Sequence, residues 1–270
     1  MEKAKAFMDE LASTASKYPV SLSTMTVLIR INNQVSFDTI LERFNDPRVQ
    51  DFITSVTGSI DNLTLSTSAK KRNFSNSLVI KCSNILTDHD TIIKGIAAKI
   101  FCNGNIHVTG AKSTQDAYYL GEVLATLLEI IHGGSGLSDQ YKILDFDVQM
   151  INYYFTNPSP PPSTLIDLAM LHSKLQENTP YYAQYNTERY SGVIVKAPRY
   201  TYLIFDSGNV ILSLQDPKDL KEAYTYICDF FSSHGPSFYI NTPLSIISKQ
   251  PKSLKSKKKP FDYGKYLVLK

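Results

Sequence analysis

Side chains that could carry out chemistry are few and scattered in this 270-residue chain. The densest group of potential acids, bases or metal ligands is Asp88-His89-Asp90, and its polar neighbours read as a hairpin turn. Gly133-Gly134-Ser135-Gly136 has the composition of a phosphate cradle. It follows a helical pattern where a cradle would open one, so it reads as a linker. No phosphate loop, H-E-x-x-H pair, nucleophile elbow or paired Cys-His ligand set occurs. The expectation is a non-enzyme with no metal and no cofactor. What does stand out is a pair of aromatics, Phe101 and Phe205, each placed just before a Gly-Asn dipeptide, Gly104-Asn105 and Gly208-Asn209.

Around those phenylalanines the chain repeats itself. Residues 98–112 read A-K-I-F-C-N-G-N-I-H-V-T-G-A-K and residues 202–216 read Y-L-I-F-D-S-G-N-V-I-L-S-L-Q-D, coinciding without a gap. The elements that must position each copy follow from the flanks. Ile106 and Val108 alternate with Asn105, His107 and Thr109, and Val210 and Leu212 alternate with Asn209, Ile211 and Ser213, which is strand periodicity. Ser113 is a candidate N-cap, followed at helical spacing by Ala117, Leu120, Leu124, Leu127, Leu128 and Ile131, with Gly133 as the stop. Asp216-Pro217 starts the second helix, carrying Leu220, Ala223, Tyr224, Ile227 and Phe231 up to Gly235. Each copy is therefore strand, Gly-Asn turn, strand, amphipathic helix. One sheet face packs under the helix and the other is left bare, which marks a binding surface.

Composition sets the outer bounds. A hydrophobic content of 43% suffices for a packed core, and no apolar run approaches the roughly 18 residues that span a bilayer. Met1-Glu2-Lys3-Ala4 does not begin a signal peptide, and Cys82, Cys102 and Cys228 lack disulfide or metal spacing, so they read as reduced intracellular thiols. The net charge of +3 conceals an asymmetry, because the segment from Lys252 to Lys270 holds seven lysines against one aspartate and the rest is net negative. Ser256-Lys257-Lys258-Lys259 reads as a solvated tail that adds sequence-independent attraction to nucleic acid or serves as a nuclear import signal.

Four segments in order resemble the TATA-binding protein family. Its repeats carry L-I-F-x-S-G-K-[IV]-V-x-T-G-A-K before the long helix, matched by Ile100-Phe101 through Lys112 and by Leu203-Ile204-Phe205-Asp206-Ser207-Gly208-Asn209. The opening strand of the family's second repeat is similar to Leu144-Asp145-Phe146-Asp147-Val148-Gln149-Met150, and Tyr190-Ser191-Gly192-Val193-Ile194 is similar to its F-P-G-L-I. The resemblance covers about residues 20–235. It implies an α+β, saddle-shaped fold: two pseudo-symmetric repeats forming a curved antiparallel β-sheet, with helices on the convex face. The divisions expected are an N-terminal helical extension over 1–19, repeat one over 20–134 with an insertion near 45–73, repeat two over 141–235, and a basic tail over 236–270.

The resemblance also implies a function: a transcription initiation factor that binds promoter DNA in the minor groove, bends it with aromatic wedges and recruits the transcription machinery. Phe101 and Phe205 take the first wedge position of each repeat, Tyr190 the second of repeat two, and Phe74 its equivalent in repeat one. Groove-facing positions are Thr24, Thr26, His107 and Thr109 in one half and Met150, Asn152, Leu203, Ile211 and Ser213 in the other. Lys81, Lys99, Lys112 and Lys196 are assigned to phosphates, and Glu188 to a protein partner. Implied partners are double-stranded DNA, general transcription factors of the A and B type and the RNA polymerase machinery, with the protein a monomer on DNA and no membrane association. The implied location is the nucleus or a cytoplasmic viral factory, since a degenerate saddle with an insertion and added tail is similar to homologues of large double-stranded DNA viruses.

The departures from the family point elsewhere. Thr24 and Met150 stand where the family pairs asparagines, and methionine cannot donate a hydrogen bond to a base. Asn105 and Asn209 stand where it has lysine, and Leu214-Gln215-Asp216 replaces the second G-A-K. The alternative reading is a protein-interaction scaffold on the same fold with little intrinsic DNA specificity. Repeat one is the longer between equivalent points, Thr24 to Phe101 against Met150 to Phe205, and the excess around 45–73 reads as an inserted loop or small excursion.

Overall fold

The structure is a computed structural model and describes residues 2–67, 77–86, 92–133, 141–157, 164–188 and 190–241. In chain order the elements are α1 (Glu2–Ala15), β1 (Ser21–Ile31), α2 (Phe37–Arg43), α3 (Pro47–Thr57), β2 (Leu63–Thr67), β3 (Ser77–Leu86), β4 (Ile92–Phe101), β5 (Asn105–Ala111) and α4 (Thr114–Ile131). They continue with β6 (Ile143–Thr156), β7 (Thr164–Ile166), α5 (Leu168–Asn178), β8 (Tyr182–Gln184), β9 (Val193–Lys196), β10 (Tyr200–Ile204), β11 (Asn209–Leu214), α6 (Leu220–His234) and β12 (Tyr239–Asn241). The class is α+β, and the chain divides into two compact units. One is built on Thr24–Met150; the other joins Asp9–Ser23 to the residues from Ile151 on. The first half of β6 thus belongs to the first unit, where Asn32 and Lys142 exchange hydrogen bonds of 3.0 and 2.7 Å, although the sequence repeat begins with that strand.

Each unit contains the same antiparallel arrangement. In the first the strands run β2-β3-β4-β5-β1, and in the second β8-β9-β10-β11-β6. The alternation read from the sequence is realised: Val27, Ile29, Ile106, Val108, Ala98 and Ile100 are buried in one unit, and Tyr153, Phe155, Val210, Leu212, Tyr202 and Ile204 in the other. Helices cover that buried face. Gly121 of α4 lies so close to β1 that an added Cβ would come within 2.7 Å of the Ile29 side chain. In the second unit the Tyr202 hydroxyl donates to the Ala223 carbonyl of α6 at 2.8 Å, and Tyr224 of α6 packs edge-on against Phe155. Burial pushes the Tyr224 hydroxyl up to about 12 and the Tyr202 hydroxyl higher still, so both stay protonated near neutral pH.

Both long helices start as their caps dictate. Ser113 accepts from the Asp116 N–H at 3.0 Å, and Asp216 accepts from Lys218 in a short 3-10 turn that leads into α6. The region expected near 45–73 to be an inserted loop or small excursion holds helix α3 at its start and strand β2 at 63–67. Asp46 caps α3 by accepting from the Arg48 N–H, Pro47 fills the first helical position, and Gly58 ends it at φ +76°. Val49, Ile53 and Thr57, one helical face, are buried, each aliphatic one contributing about 1.5–3 kcal/mol. Asp46-Pro47 is the same start signal as Asp216-Pro217, and Gly58 is the matching stop.

The tail also begins later than the sequence suggested. Residues 239–241 form β12, which pairs with β7, and Phe238 is buried against Phe230 and Phe231 of α6. The lysine-rich run lies outside the described residues, as do Asp88-His89-Asp90 and Gly134–Gly136. The cysteines are free, and burial pushes the Cys82 thiol up to about 12, which keeps it unreactive.

The Gly-Asn turns are built alike. Gly104 (φ +83°) and Gly208 (φ +80°) donate to the carbonyls of Phe101 and Phe205, both at 3.0 Å. Their own carbonyls accept from Ile31 and Asn157, and the carbonyls of Cys102 and Asp206 accept from Val35 and Ile166 at 2.8 Å. Each turn is therefore clamped to the chain leaving the first strand of its unit. A Cβ at Gly104 would lie 2.5 Å from the Asn33 carbonyl oxygen and 3.0 Å from that of Ile31, whereas at Gly95 (φ +66°) it would meet nothing within 4 Å. Gly104→Ala is expected to lower the melting temperature by several degrees, since left-handed strain of about 1–3 kcal/mol adds to a backbone clash. Gly95→Ala should fall by clearly less in the same calorimetric scan, because it carries the strain alone.

Candidate nucleic-acid interface

The face opposite the helices carries the residues singled out from sequence. In the first unit, Thr26 pairs with Thr109, Leu28 with His107 and Arg30 with Asn105 across β1 and β5. Lys99 pairs with His107, and Ala97 with Thr109, across β4 and β5. Val79 pairs with Lys99, and Lys81 with Ala97, across β3 and β4. In the second unit, Ser213 pairs with Asn152 and Ile211 with Tyr154, then Leu203 with Ile211 and Ile194, and Thr201 with Lys196. These positions alternate with the buried ones and are half-buried or exposed. Thr24, Thr26, His107, Thr109, Met150, Asn152, Leu203, Ile211 and Ser213 thus lie on open sheet faces, as expected. The ladder makes Thr26 equivalent to Asn152, and Thr24 to Met150.

Phe101 and Phe205 sit at equivalent places, half-buried, at the ends of β4 and just beyond β10. The His107 ring lies 5.1 Å from that of Phe101 at a tilt of 58°. Tyr190 and Phe205 form a pair at 5.9 Å and 53°, so the structure brings together the two aromatics assigned to one end of the interface. The turn that carries Tyr190 is organised by Asn186, whose carbonyl accepts from Tyr190 at 2.9 Å and whose side chain accepts from the Glu188 N–H at 3.0 Å. Glu188 is exposed on that turn. Phe74 lies outside the described residues.

The lysines divide into two groups. Lys81, Lys99 and Lys196 project from the open faces and are exposed. Lys112 is exposed in the turn that caps α4, beside Asp116, whose carboxyl is raised by burial and drawn back by the Ser113 hydrogen bond and the Lys112 charge. Arg30 forms an ion pair with Asp145 at 3.3 Å, both ends about half exposed, which is worth little energetically.

Several open-face features lay beyond the sequence reading. Tyr154 and Tyr182 are among the large side chains left exposed, and Tyr154 extends the alternation from Met150 and Asn152 that the sequence already shows. Polar groups of the second face also bond one another. Ser213 donates to Asn152 Oδ1 at 2.6 Å, Tyr154 and Thr156 donate to Asn209 Oδ1 at 2.7 and 2.9 Å, and Asn209 Nδ2 donates to Ser207 at 2.9 Å. Only the cross-strand register reveals these pairs. Among the described residues no three His, Cys, Asp or Glu side chains are grouped to hold a metal, and no helix is long and apolar enough to cross a membrane.

Gly192 packs against the backbone beneath the aromatic pair. A Cβ there would lie 2.8 Å from the Ile204 carbonyl oxygen, closer than contact distance, and 3.4 Å from both the Phe205 and Tyr190 rings, which is ordinary contact. Gly192→Ala is expected to lower the melting temperature by several degrees in a calorimetric scan, because the backbone at Ile204 must shift to admit the methyl group.

The family model of "Transcription factor TFIID (or TATA-binding protein, TBP)" matches residues 160–234, a stretch that contains α5, the strands β8 to β11 and α6. No curated protein sequence matches the chain. Among solved structures, Methanococcus jannaschii TBP is similar over 80% of this chain and 99% of its own, with 16% identity and a TM-score of 0.47. A complex of A. aeolicus tRNASec with M. kandleri SerRS covers 80% of this chain and 30% of its own, with 12% identity and a TM-score of 0.26.

Proposed function

Starting from a divergent TATA-binding-protein-like chain, we propose that this protein is a transcription initiation factor that binds and bends promoter DNA through the minor groove. One observation supports this reading above the rest. Each unit ends an open-face strand with a phenylalanine, Phe101 or Phe205, fixed by a clamped glycine turn of the same construction. A rigid aromatic at the rim of a bare sheet is suited to enter a base step and hold it open, at a cost of about a few kcal/mol per step, offset by the contact area that bending brings. Tyr190 packs at a tilt beside Phe205 as the second part of that wedge. Thr24, Thr26, His107, Thr109, Met150, Asn152, Leu203, Ile211 and Ser213 meet the groove, and Lys81, Lys99, Lys112 and Lys196 meet phosphates. In this reading the protein acts without catalysis, as a monomer on DNA in the nucleus or a cytoplasmic viral factory. General factors of the A and B type and the polymerase machinery join it there, with Glu188 on a partner-facing turn.

Hydrogen-bond readout is weak on this surface. Minor-groove acceptors need donors, Met150 has none, and Asn209 already uses its amide within the face. The second face therefore selects A·T-rich duplex mainly through groove width and deformability. The same internal pairing favours a second reading, a protein-interaction scaffold with little DNA specificity.

Fluorescent A·T-rich and G·C-rich duplexes, with end-to-end energy transfer reporting bending, separate the two. Bending that is present in the wild type and abolished in Phe101→Ala/Phe205→Ala is the expected result. Each lost wedge should weaken affinity by about five- to 150-fold, the scale of one aromatic–base stack at about 1–3 kcal/mol. Absence of bending on every duplex would favour the scaffold.

A further inference from the structure

Equivalent residues occupy equivalent register positions, so the two open faces can be compared row by row. The central row of the second unit reads Ile194, Leu203, Ile211 and Tyr154 across β9, β10, β11 and β6. The same row of the first unit reads Val79, Lys99, His107 and Leu28 across β3, β4, β5 and β1. One row is apolar from end to end, apart from a tyrosine hydroxyl that is bonded to Asn209. The other keeps apolar residues at both ends and places an ammonium and an imidazole at its centre. The His107 ring also packs on Phe101.

The neighbouring rows sharpen the contrast. Lys81 and Lys196 are equivalent, so one basic position is common to both units. Next to them, however, Ser213 is bonded to Asn152, and in the third row the Asn209 side chain is bonded to Tyr154, Thr156 and Ser207. The second face therefore offers a duplex mostly carbon surface with polar groups already paired. The first offers a cation in the middle of its face, Lys99, that forms no ion pair among the described residues.

We infer that the two units grip DNA by different physics: the first is an electrostatic anchor centred on Lys99, and the second is a dry apolar surface centred on Leu203. This rests on the DNA reading above. Salt dependence follows from phosphate neutralisation, with log K falling by about 0.9 per log unit of salt for each phosphate contacted. Beyond the one lysine position common to both units, the salt-sensitive part of the groove-face contact therefore resides in the first unit, whereas the second contributes mainly through area removed from water, which salt screens little.

The test exchanges the two central residues in the full-length chain. Lys99→Leu gives the first unit the residue of the second, Leu203→Lys does the reverse, and the double exchange combines them. Duplex affinity is measured by anisotropy across a salt series, with energy transfer for bending and a thermal melt of each variant to establish folding. Lys99→Leu should lower the slope of log K against log salt by about 0.9 while bending persists. Leu203→Lys should weaken binding at least tenfold at low salt without a compensating rise in slope, because its ammonium enters a dry row. The double exchange should carry both losses. An unchanged slope in folded Lys99→Leu overturns the inference, as does a Leu203→Lys slope that rises by as much as the other falls, since the units would then be interchangeable. Should Leu203→Lys fail to fold, Leu203→Gln replaces it, with the same loss expected at low salt. Failure of the wild type to bind any duplex at low salt would instead defeat the DNA reading, and this inference with it.

Discussion

A β-strand sends successive side chains to opposite faces, and in both units one of those faces is consumed by helices. Everything functional is confined by that division. Ile29, Val108, Tyr202 and Leu212 are committed to the core, so only their neighbours in sequence can meet a ligand. The face left over is broad, ordered by backbone pairing and fixed in register. A side chain there needs no packing of its own to be held in place, since the strand beneath it is locked from the other side. The open face can therefore change its chemistry between the two units without cost to the fold.

The turns carry the second constraint. A phenylalanine at the end of a strand would ordinarily fold back over the nearest apolar surface. Here the residues after it reverse direction through a left-handed glycine, and carbonyls of the reversal are bonded to the chain leaving β1 or β6. The ring is thereby set at the rim by backbone geometry, where side-chain contacts alone would have drawn it inward. The same clamp appears in both units with the same partners in the same order, which is the strongest structural sign that the rims serve one purpose. Tyr190, supported by Gly192 and Asn186, adds a second ring at one of them.

Helix α3 shows how a connection between strands can add to the core. It is capped at both ends and buries a face within its own unit, so the longer connection adds core and leaves the strand order unchanged. Residues 239–241 do the same at the other end of the chain, pairing with β7 and seating Phe238 beneath α6. Sequence alone places both segments at the periphery. In each case the deciding contacts are with residues distant in sequence, such as α4 and β7.

The sequence by itself determined whatever depends on near neighbours. Period-two alternation at 105–109 and 209–213 set the faces, and Ser113, Asp216 and Gly133 marked helix ends through caps that act within a few residues. The Gly-Asn turns located Phe101 and Phe205, and the repetition of the whole pattern disclosed two units. The signal for α3 was equally local, in Asp46-Pro47 and Gly58, and could have been read. What only the tertiary structure decided is which residues share a row. Pairing Leu28 with His107, Ile211 with Tyr154, or Asn209 with Thr156 requires the register between strands far apart in the chain. Register is fixed by burial on the opposite face and by the clamped turns, so no single strand's sequence contains it. That is the physical reason the positions of the interface were legible, while its division into a charged half and an apolar half was not.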